Sequence, residues 1–495
     1  MKQWRGGVHL KFWLEMLGRS LPPAFVLAAE ERLENGTLIG LAGSHGNGVR
    51  DLRDEDILNE ENIPQDESGD GVPAAGRADR TLVDWLAAAY AKCEGGESLP
   101  PQQWLLAESA DGALELALRT MVPGGGAVLV ETPAAPEALE LMRRLGLRAV
   151  PVECDRDGML PDDVRRKARL AGGKPGALAY VTPHFSNPSG RVWSRQRKLE
   201  LLALSAELEL PLVEDDTAGA LPFALLLKNP KVPEAPEARE AKDAAEERLT
   251  AAGPGDKMPR TVLPGDEIPK AVLLGDEILK AVVPECCESL FRLRRTAGIS
   301  GAEVIGVGSF ERTLLPQLPL AWLRGEAEAM ERLRREAGRG SGGDLSAAGR
   351  ASQRREADRT ADDRAVAARA GRLRAWLASP AAARHAAAAA AAYTARRALA
   401  LELLQAPAWR GACAADPGGG LYLWVSLPAG ISSEALLRAS LLEGTAFLPG
   451  TLCYAGEPDD SFIRLTVAAL EEARLREGLA RIAAALAGFT ARSGS

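Results

Sequence analysis

The chain has 495 residues and a formal net charge of −8, with 46% hydrophobic and 26% charged residues. That is enough chain to bury one large core or two domains. The acidic balance, without a basic stripe interleaved with aromatics, argues against a nucleic-acid partner, and no apolar run approaches the roughly 18 residues of a membrane span.

The six cysteines (Cys93, Cys154, Cys286, Cys287, Cys413, Cys453) are scattered and form no CxxC pair. This usage fits reduced thiols in a cytoplasmic setting and offers no metal-ligand spacing. Residues 1–36 are expected to form an N-terminal arm. Lys2, Arg5, Lys11 and Arg19 stand there among aromatic and aliphatic residues, which keeps a mitochondrial transit segment as the alternative.

Pro22 to Glu34 carries apolar residues at helical spacing and stops at Asn35-Gly36. Arg50 to Arg80 is acidic, bears Gly and Pro, and reads as loop. From Leu82 the pattern becomes regular. Helices are expected over Leu82–Lys92, Ala113–Met121, Pro136–Leu145, Asp162–Leu170 and Ser194–Glu207. Strands are expected over Gln103–Ala107, Gly124–Glu131, Arg148–Glu153, Gly176–Thr182 and from Leu210. Asp155 to Pro161 reads as a turn. This alternation predicts an α/β fold with a mainly parallel sheet, whose ligands sit at the carboxyl ends of the strands. There the small turn Glu108 to Gly112 opens a helix, an arrangement that can hold a phosphate through backbone N–H groups and the helix dipole.

Leu225 to Thr296 is rich in Glu, Lys, Ala and Pro and contains a ten-residue repeat over Pro254–Leu263, Pro264–Leu273 and Leu274–Val283. The units are too few and too Pro-rich for a solenoid core, so a surface insertion is expected, with a partner-binding strip as the alternative. A charged helix over Gly325–Gly338, a low-complexity expansion over 338–360 and a helix over Asp362–Leu377 follow. Alanine fills His385 to Arg397, which favours helix. Gly418 to Ser426 alternates as a strand.

Several ordered motifs lie on this frame. They are Thr182-Pro-His-Phe-Ser-Asn187-Pro188-Ser-Gly190, Val213-Glu-Asp215-Asp216, Gly308-Ser309-Phe-Glu311-Arg312, Phe447-Leu-Pro-Gly450 and Ser461-Phe-Ile-Arg464. In this order they resemble the motifs of class I/II aminotransferases, nearest to the aminoadipate/kynurenine branch. The effector domain of MocR-type regulators is similar too. The resemblance spans roughly residues 37 to 490 apart from the two expansions. It implies pyridoxal phosphate (PLP) fold type I, with a large α/β domain over 37–384 and a small C-terminal domain over 385–495. It also implies a dimer that shares its site, and transfer of an amino group from an amino acid to a 2-oxo acid.

The resemblance further implies a role for particular residues. Ser109 and Ala110 stand at the phosphate turn, and Ser309 lies in the cofactor segment. Asn187 would donate to the phenolate oxygen of PLP and touch substrate. Asp215 would pair with the pyridine nitrogen. Gly43, within Leu38–Ser44, would lie over the substrate, and Arg464 would clamp its carboxylate with a planar fork. The departures are as specific. Arg312 stands where the Schiff-base lysine belongs, leaving no catalytic residue assigned, because a guanidinium stays protonated and is a poor nucleophile. Lys257, Lys270 and Lys280, in the insertion, are the substitutes weighed. Ala110, Ala135, Ala218 and Pro319 replace a serine, two tyrosines and an arginine that hold the cofactor, and Asp111 adds a negative charge near the phosphate turn. No tyrosine precedes Tyr90, so the contact across the dimer to the phosphate is missing. Two readings follow: a PLP-dependent aminotransferase with impaired catalysis, or a non-catalytic scaffold that pairs with itself or with a related aminotransferase.

Overall fold

A computed structural model describes residues 22–43, 74–172, 176–228, 283–284, 287–339 and 350–493. The ten-residue repeat, apart from Val283, and residues 1–21 lie outside them.

Helix α1 (Pro23–Glu34) and strand β1 (Ile39–Leu41) come first. Helix α2 (Ala74–Glu94) begins inside the stretch expected as loop, where Ala74, Ala75 and Ala78 favour helix. Then β2 (Trp104–Ala107), α3 (Ala110–Met121), β3 (Ala127–Glu131), α4 (Pro136–Arg144) and β4 (Arg148–Val152) alternate. The expected turn at 155–161 is instead a small hairpin, β5 (Cys154–Asp155) with β6 (Gly158–Met159). The alternation resumes with α5 (Pro161–Leu170), β7 (Ala177–Val181), α6 (Arg195–Leu208) and β8 (Leu212–Asp215).

Helices α7 (Leu221–Leu227) and α8 (Leu290–Thr296) flank the undescribed segment. Leu225, Leu226, Leu290, Phe291 and Leu293 are buried, so both ends of the expected 225–296 insertion belong to the core. Strands β9 (Val304–Ser309) and β10 (Ala321–Arg324) precede helices α9 (Ala327–Arg339), α10 (Arg350–Leu377) and α11 (Pro380–Leu403). Helix α10 starts within the expected 338–360 expansion. The chain closes with β11 (Cys413–Ala414), β12 (Tyr422–Ser426), α12 (Ser433–Leu442), β13 (Thr445–Pro449), β14 (Phe462–Thr466) and α13 (Glu472–Ser493).

The seven-stranded sheet runs β2-β10-β9-β8-β7-β3-β4. Strands β9, β8, β7, β3 and β4 are parallel neighbours, and β10 is antiparallel to both β9 and β2. Helices cover both faces, which is why β3, β7, β8 and β9 are buried along their whole length. The second sheet runs β1-β13-β14-β12-β11. Its edge strand β1 pairs in parallel with β13, Ile39 opposite Thr445. Residues 39–41 therefore leave the expected 37–384 unit and join the C-terminal sheet. Leu38, Ile39 and Leu41 share a core with Leu465, Leu475 and Leu479, an arrangement set by burial and not by chain order.

Candidate active site

The carboxyl ends of β3, β7, β8 and β9 converge, and a buried carboxylate builds their first turn. Glu131, closing β3, accepts from Thr182 N (3.0 Å), Thr182 Oγ1 (2.7 Å), Ser186 Oγ (2.9 Å) and Trp193 Nε1 (3.0 Å). These bonds lock the Thr182–Gly190 turn that carries Asn187. Phe185 in that turn has φ 57° and packs its ring where Gly419 leaves room; a Cβ on Gly419 would sit 2.3 Å from Phe185 Cζ. The Gly418–Gly420 run thus brings the second sheet's entry loop onto the turn.

Asp215 ends β8 and is buried. Its Oδ2 accepts from Tyr180 Oη at 2.8 Å, and its Oδ1 from Thr217 N at 2.9 Å and Thr217 Oγ1 at 2.7 Å. Behind it, Lys198 Nζ lies 2.8 Å from His184 Nε2, and His184 Nδ1 lies 2.7 Å from Asp216 Oδ1. Burial, then the Lys198 charge, pushes the imidazole down to about 3. The ring is neutral, accepts from Lys198 at Nε2 and points its Nδ1 proton at Asp216, whose carboxyl burial raises. Lys198 also donates to Glu288 O at 2.9 Å. It is fully buried and committed to this network.

The turn expected to hold a phosphate is satisfied from within. Ser109 caps α3, its Oγ accepting from Gly112 N at 3.1 Å. Ala110 N donates to Glu311 Oε2 at 2.9 Å. Ser309 Oγ donates to Leu320 O at 2.7 Å and accepts from Glu311 N at 2.9 Å, which turns the Glu311 side chain toward the helix. Burial raises the Glu311 carboxyl, against the Ala110 N–H and Arg312. Beside it, buried Arg312 donates from Nη2 to Asp111 Oδ1 at 2.5 Å. Burial opposes the guanidinium charge, but Asp111, Asp215 and Glu137 outweigh it and hold Arg312 protonated. Arg369 Nη1, from α10, donates to Glu108 O at 3.0 Å and to Pro319 O at 3.5 Å. An arginine remote in sequence thus ties the Glu108 turn to Pro319.

The end where Arg464 was expected to clamp a carboxylate is filled in the same way. Arg464 is fully buried in β14, with Tyr422's ring 4.6 Å from its guanidinium carbon. Nη1 donates to Asn187 Oδ1 at 2.8 Å, and Nη2 to Ala42 O at 2.8 Å and Gly43 O at 3.3 Å. Both also reach Glu137 Oε1, at 3.3 and 3.2 Å. Asn187 Nδ2 donates to Glu137 Oε2 at 3.2 Å. Burial would raise the Glu137 carboxyl, yet Arg464 and Arg312 bring it below its ordinary value.

The structure therefore gathers Ser109, Ala110, Asn187, Asp215, Ser309, Arg312, Gly43 and Arg464 around one site, with Ala135 and Ala218 lining it. The space left among Ala135, Asn187, Asp215, Ala218 and Arg312 is about 10 Å³, about enough for one water molecule. Sequence reasoning missed Glu137, Tyr180, Lys198 and Arg369, and it gave Glu311 no role. An acidic residue in the first turn of α4 carries no local sign that it faces an arginine in β14. Among the described residues no cluster of His, Cys, Asp and Glu could hold a metal ion. No helix among them is long and apolar enough to cross a membrane.

No family model matches the chain. It is 26% identical over 391 residues to a 2-aminoadipate transaminase from Thermus thermophilus, covering 79% of this chain and 77% of that protein. The solved alpha-aminoadipate aminotransferase from Thermus thermophilus, complexed with N-(5'-phosphopyridoxyl)-L-leucine, aligns with a TM-score of 0.56 and 21% identity, covering 94% of this chain and 95% of that one. The kynurenine aminotransferase of Pyrococcus horikoshii aligns with a TM-score of 0.63 and 18% identity, covering 95% of each chain. The chain thus has the fold of the PLP fold type I aminotransferases, and its sequence likeness to a 2-aminoadipate transaminase supports the class I/II aminotransferase family, whose members use pyridoxal phosphate.

Proposed function

We propose that this chain is a non-catalytic member of its family, a scaffold subunit that pairs with itself or with a related aminotransferase. The observation that carries the reading is Arg312 at the Schiff-base position, charged, buried and paired with Asp111 at 2.5 Å. A permanently protonated guanidinium offers no amine for carbonyl chemistry or for a proton shuttle.

The neighbouring residues do not fit the cofactor either. The Ala110 N–H that would meet a phosphate is satisfied by Glu311, and a dianion beside the carboxylates of Glu311 and Asp111 is repelled. Arg464 and Asn187, the groups that would meet a substrate carboxylate, are bonded to Glu137. Ala135 and Ala218 supply neither ring stacking nor a phenol. No chemical step is therefore derived through PLP. The fold, by contrast, is kept with its core intact, which is what a structural partner needs.

Absorbance of the full-length protein with added PLP, together with a transamination assay over a panel of amino acids and 2-oxo acids, tests this. No aldimine band and no turnover are expected. A PLP adduct on a lysine at the site, Lys198 included, together with turnover would overturn the proposal. A single species at monomer mass, alone and with related aminotransferases, would overturn the scaffold role.

A further inference from the structure

A second cavity, of about 300 Å³, lies toward the opposite end of the strands of the seven-stranded sheet from the candidate active site. Arg324 forms its floor and pairs across Trp104, the first residue of β2, whereas Asp215 and Ser309 are the last residues of their strands. The floor is charge-neutral. Arg324 Nη1 and Nη2 donate to the Glu94 carboxylate at 2.7 and 2.9 Å, and the guanidinium carbon lies 3.8 Å from the centre of the Tyr90 ring. Tyr90, Leu99 and Phe291 supply apolar surface, with Ala87 and Ala91 between them.

The rim is cationic. Arg292 and Arg295 project from α8 into the lining. Arg295 has Glu326 at 3.8 Å. Arg292 differs: among the described residues its guanidinium has no hydrogen-bond or ion-pair partner, and its Nε is buried without one. The group packs on Gly96, where a Cβ would stand 2.4 Å from Nη1. Gly96 has φ 129°, a conformation suited to glycine, so the loop that seats the arginine is specific to that residue. Glu97, also on the rim, is exposed, and makes no ion pair with Arg292; its charge is screened by water and salt.

A planar cation without a counter-charge, beside an apolar cavity, is the chemistry of a carboxylate receptor. We propose that this cavity binds a small organic carboxylate, its head on the Arg292 fork beside Arg295 and its apolar or aromatic body against Tyr90, Leu99 and Phe291. The cavity shares no residue with the Arg312, Asp215 and Arg464 group, so this inference stands or falls apart from the proposed loss of catalysis.

Calorimetric titration of the full-length protein with benzoate tests it, with benzamide as the uncharged counterpart and inorganic phosphate as the anion without an apolar body. Saturable benzoate binding is expected, with benzamide and phosphate each at least about tenfold weaker. Arg292→Gln is expected to weaken benzoate about ten- to a hundredfold at an unchanged melting temperature. Gly96→Ala, which displaces the guanidinium, is expected to weaken it too. Absence of benzoate binding at millimolar concentration would overturn the proposal, as would equal binding by benzamide, tighter binding of phosphate, or benzoate binding that survives Arg292→Gln.

Discussion

Glu311 Oε2 lies 2.9 Å from Ala110 N, so a side chain of the cofactor segment caps the helix whose N-terminus would receive the cofactor phosphate. The two residues are 201 positions apart. The contact exists because Ser309 Oγ holds Glu311 N at 2.9 Å and directs the side chain toward the helix end. A carboxylate at a helix N-terminus gains from the dipole and from the N–H donor, and burial acts against it.

That balance sets the response of Glu311 to substitution. Burial raises its pKa in the folded state. A carboxyl raised on folding weakens the protein as pH climbs through the interval between its unfolded value, about 4.3, and its folded value, and the cost persists above that. Glu311→Gln keeps an acceptor for Ala110 N and is expected to match or exceed the wild type in stability at neutral pH, with the difference vanishing in acid. Glu311→Ala leaves the N–H unpartnered and is expected to cost about 1–3 kcal/mol. Urea unfolding across pH measures both.

Arg312 and Asp111 should respond unequally. The Arg312 side chain is 6% exposed and that of Asp111 is 65% exposed. Asp111→Asn removes a solvent-screened partner and is expected to cost about 1 kcal/mol or less. Arg312→Met removes the buried cation that also offsets Asp215 and Glu137, and is expected to cost about 3–5 kcal/mol. Equal losses in denaturant melts would show that Asp111, and not the interior carboxylates, holds the arginine in place.

Glu137 has the opposite pH signature to Glu311. Arg464 and Arg312 lower its folded pKa against burial. Its contribution is present above its unfolded pKa of about 4.3 and is lost as pH falls through the lower folded value. Glu137→Gln should therefore reduce stability at neutral pH, by about 3–5 kcal/mol as a broken buried pair, and flatten the acid limb of the stability profile. An acid limb as steep as that of the wild type would contradict the pairing.

Gly419 gives a purely steric test. A Cβ there would approach Phe185 Cζ to 2.3 Å, so Gly419→Ala is expected to cost about 1–3 kcal/mol through overpacking of the turn that carries Asn187. A melting temperature equal to the wild type would mean that the loop is free to move aside.

Much of this was legible in the sequence. Alternating apolar runs located the parallel strands, because strands buried on both faces are mostly apolar, as β7 is and as β3 is up to Glu131. Asn187, Asp215 and Arg464 were named through the resemblance of their motifs to a known family, and the fold brings them close together. The pairings were not. Glu137 and Arg464 are 327 residues apart, and an ion pair leaves no periodicity. Ile39 was misplaced for a related reason: its partner strand lies near the far end of the chain. The insertion was drawn too wide because Leu221 to Leu227 and Leu290 to Thr296 are short helices beside a polar, Pro-rich segment, and a compositional boundary blurs over such lengths.

The most direct test of a self-filled cofactor site is borohydride reduction in the presence of PLP, with the modified peptide identified by mass, compared between the wild type, Arg312→Lys and Glu311→Ser/Arg312→Lys. The wild type should carry no adduct at the site, Arg312→Lys little, and the double variant a clear adduct at position 312, because only the double variant both supplies the amine and frees Ala110 N. A wild-type adduct at the site, or full labelling of Arg312→Lys with Glu311 in place, would contradict it.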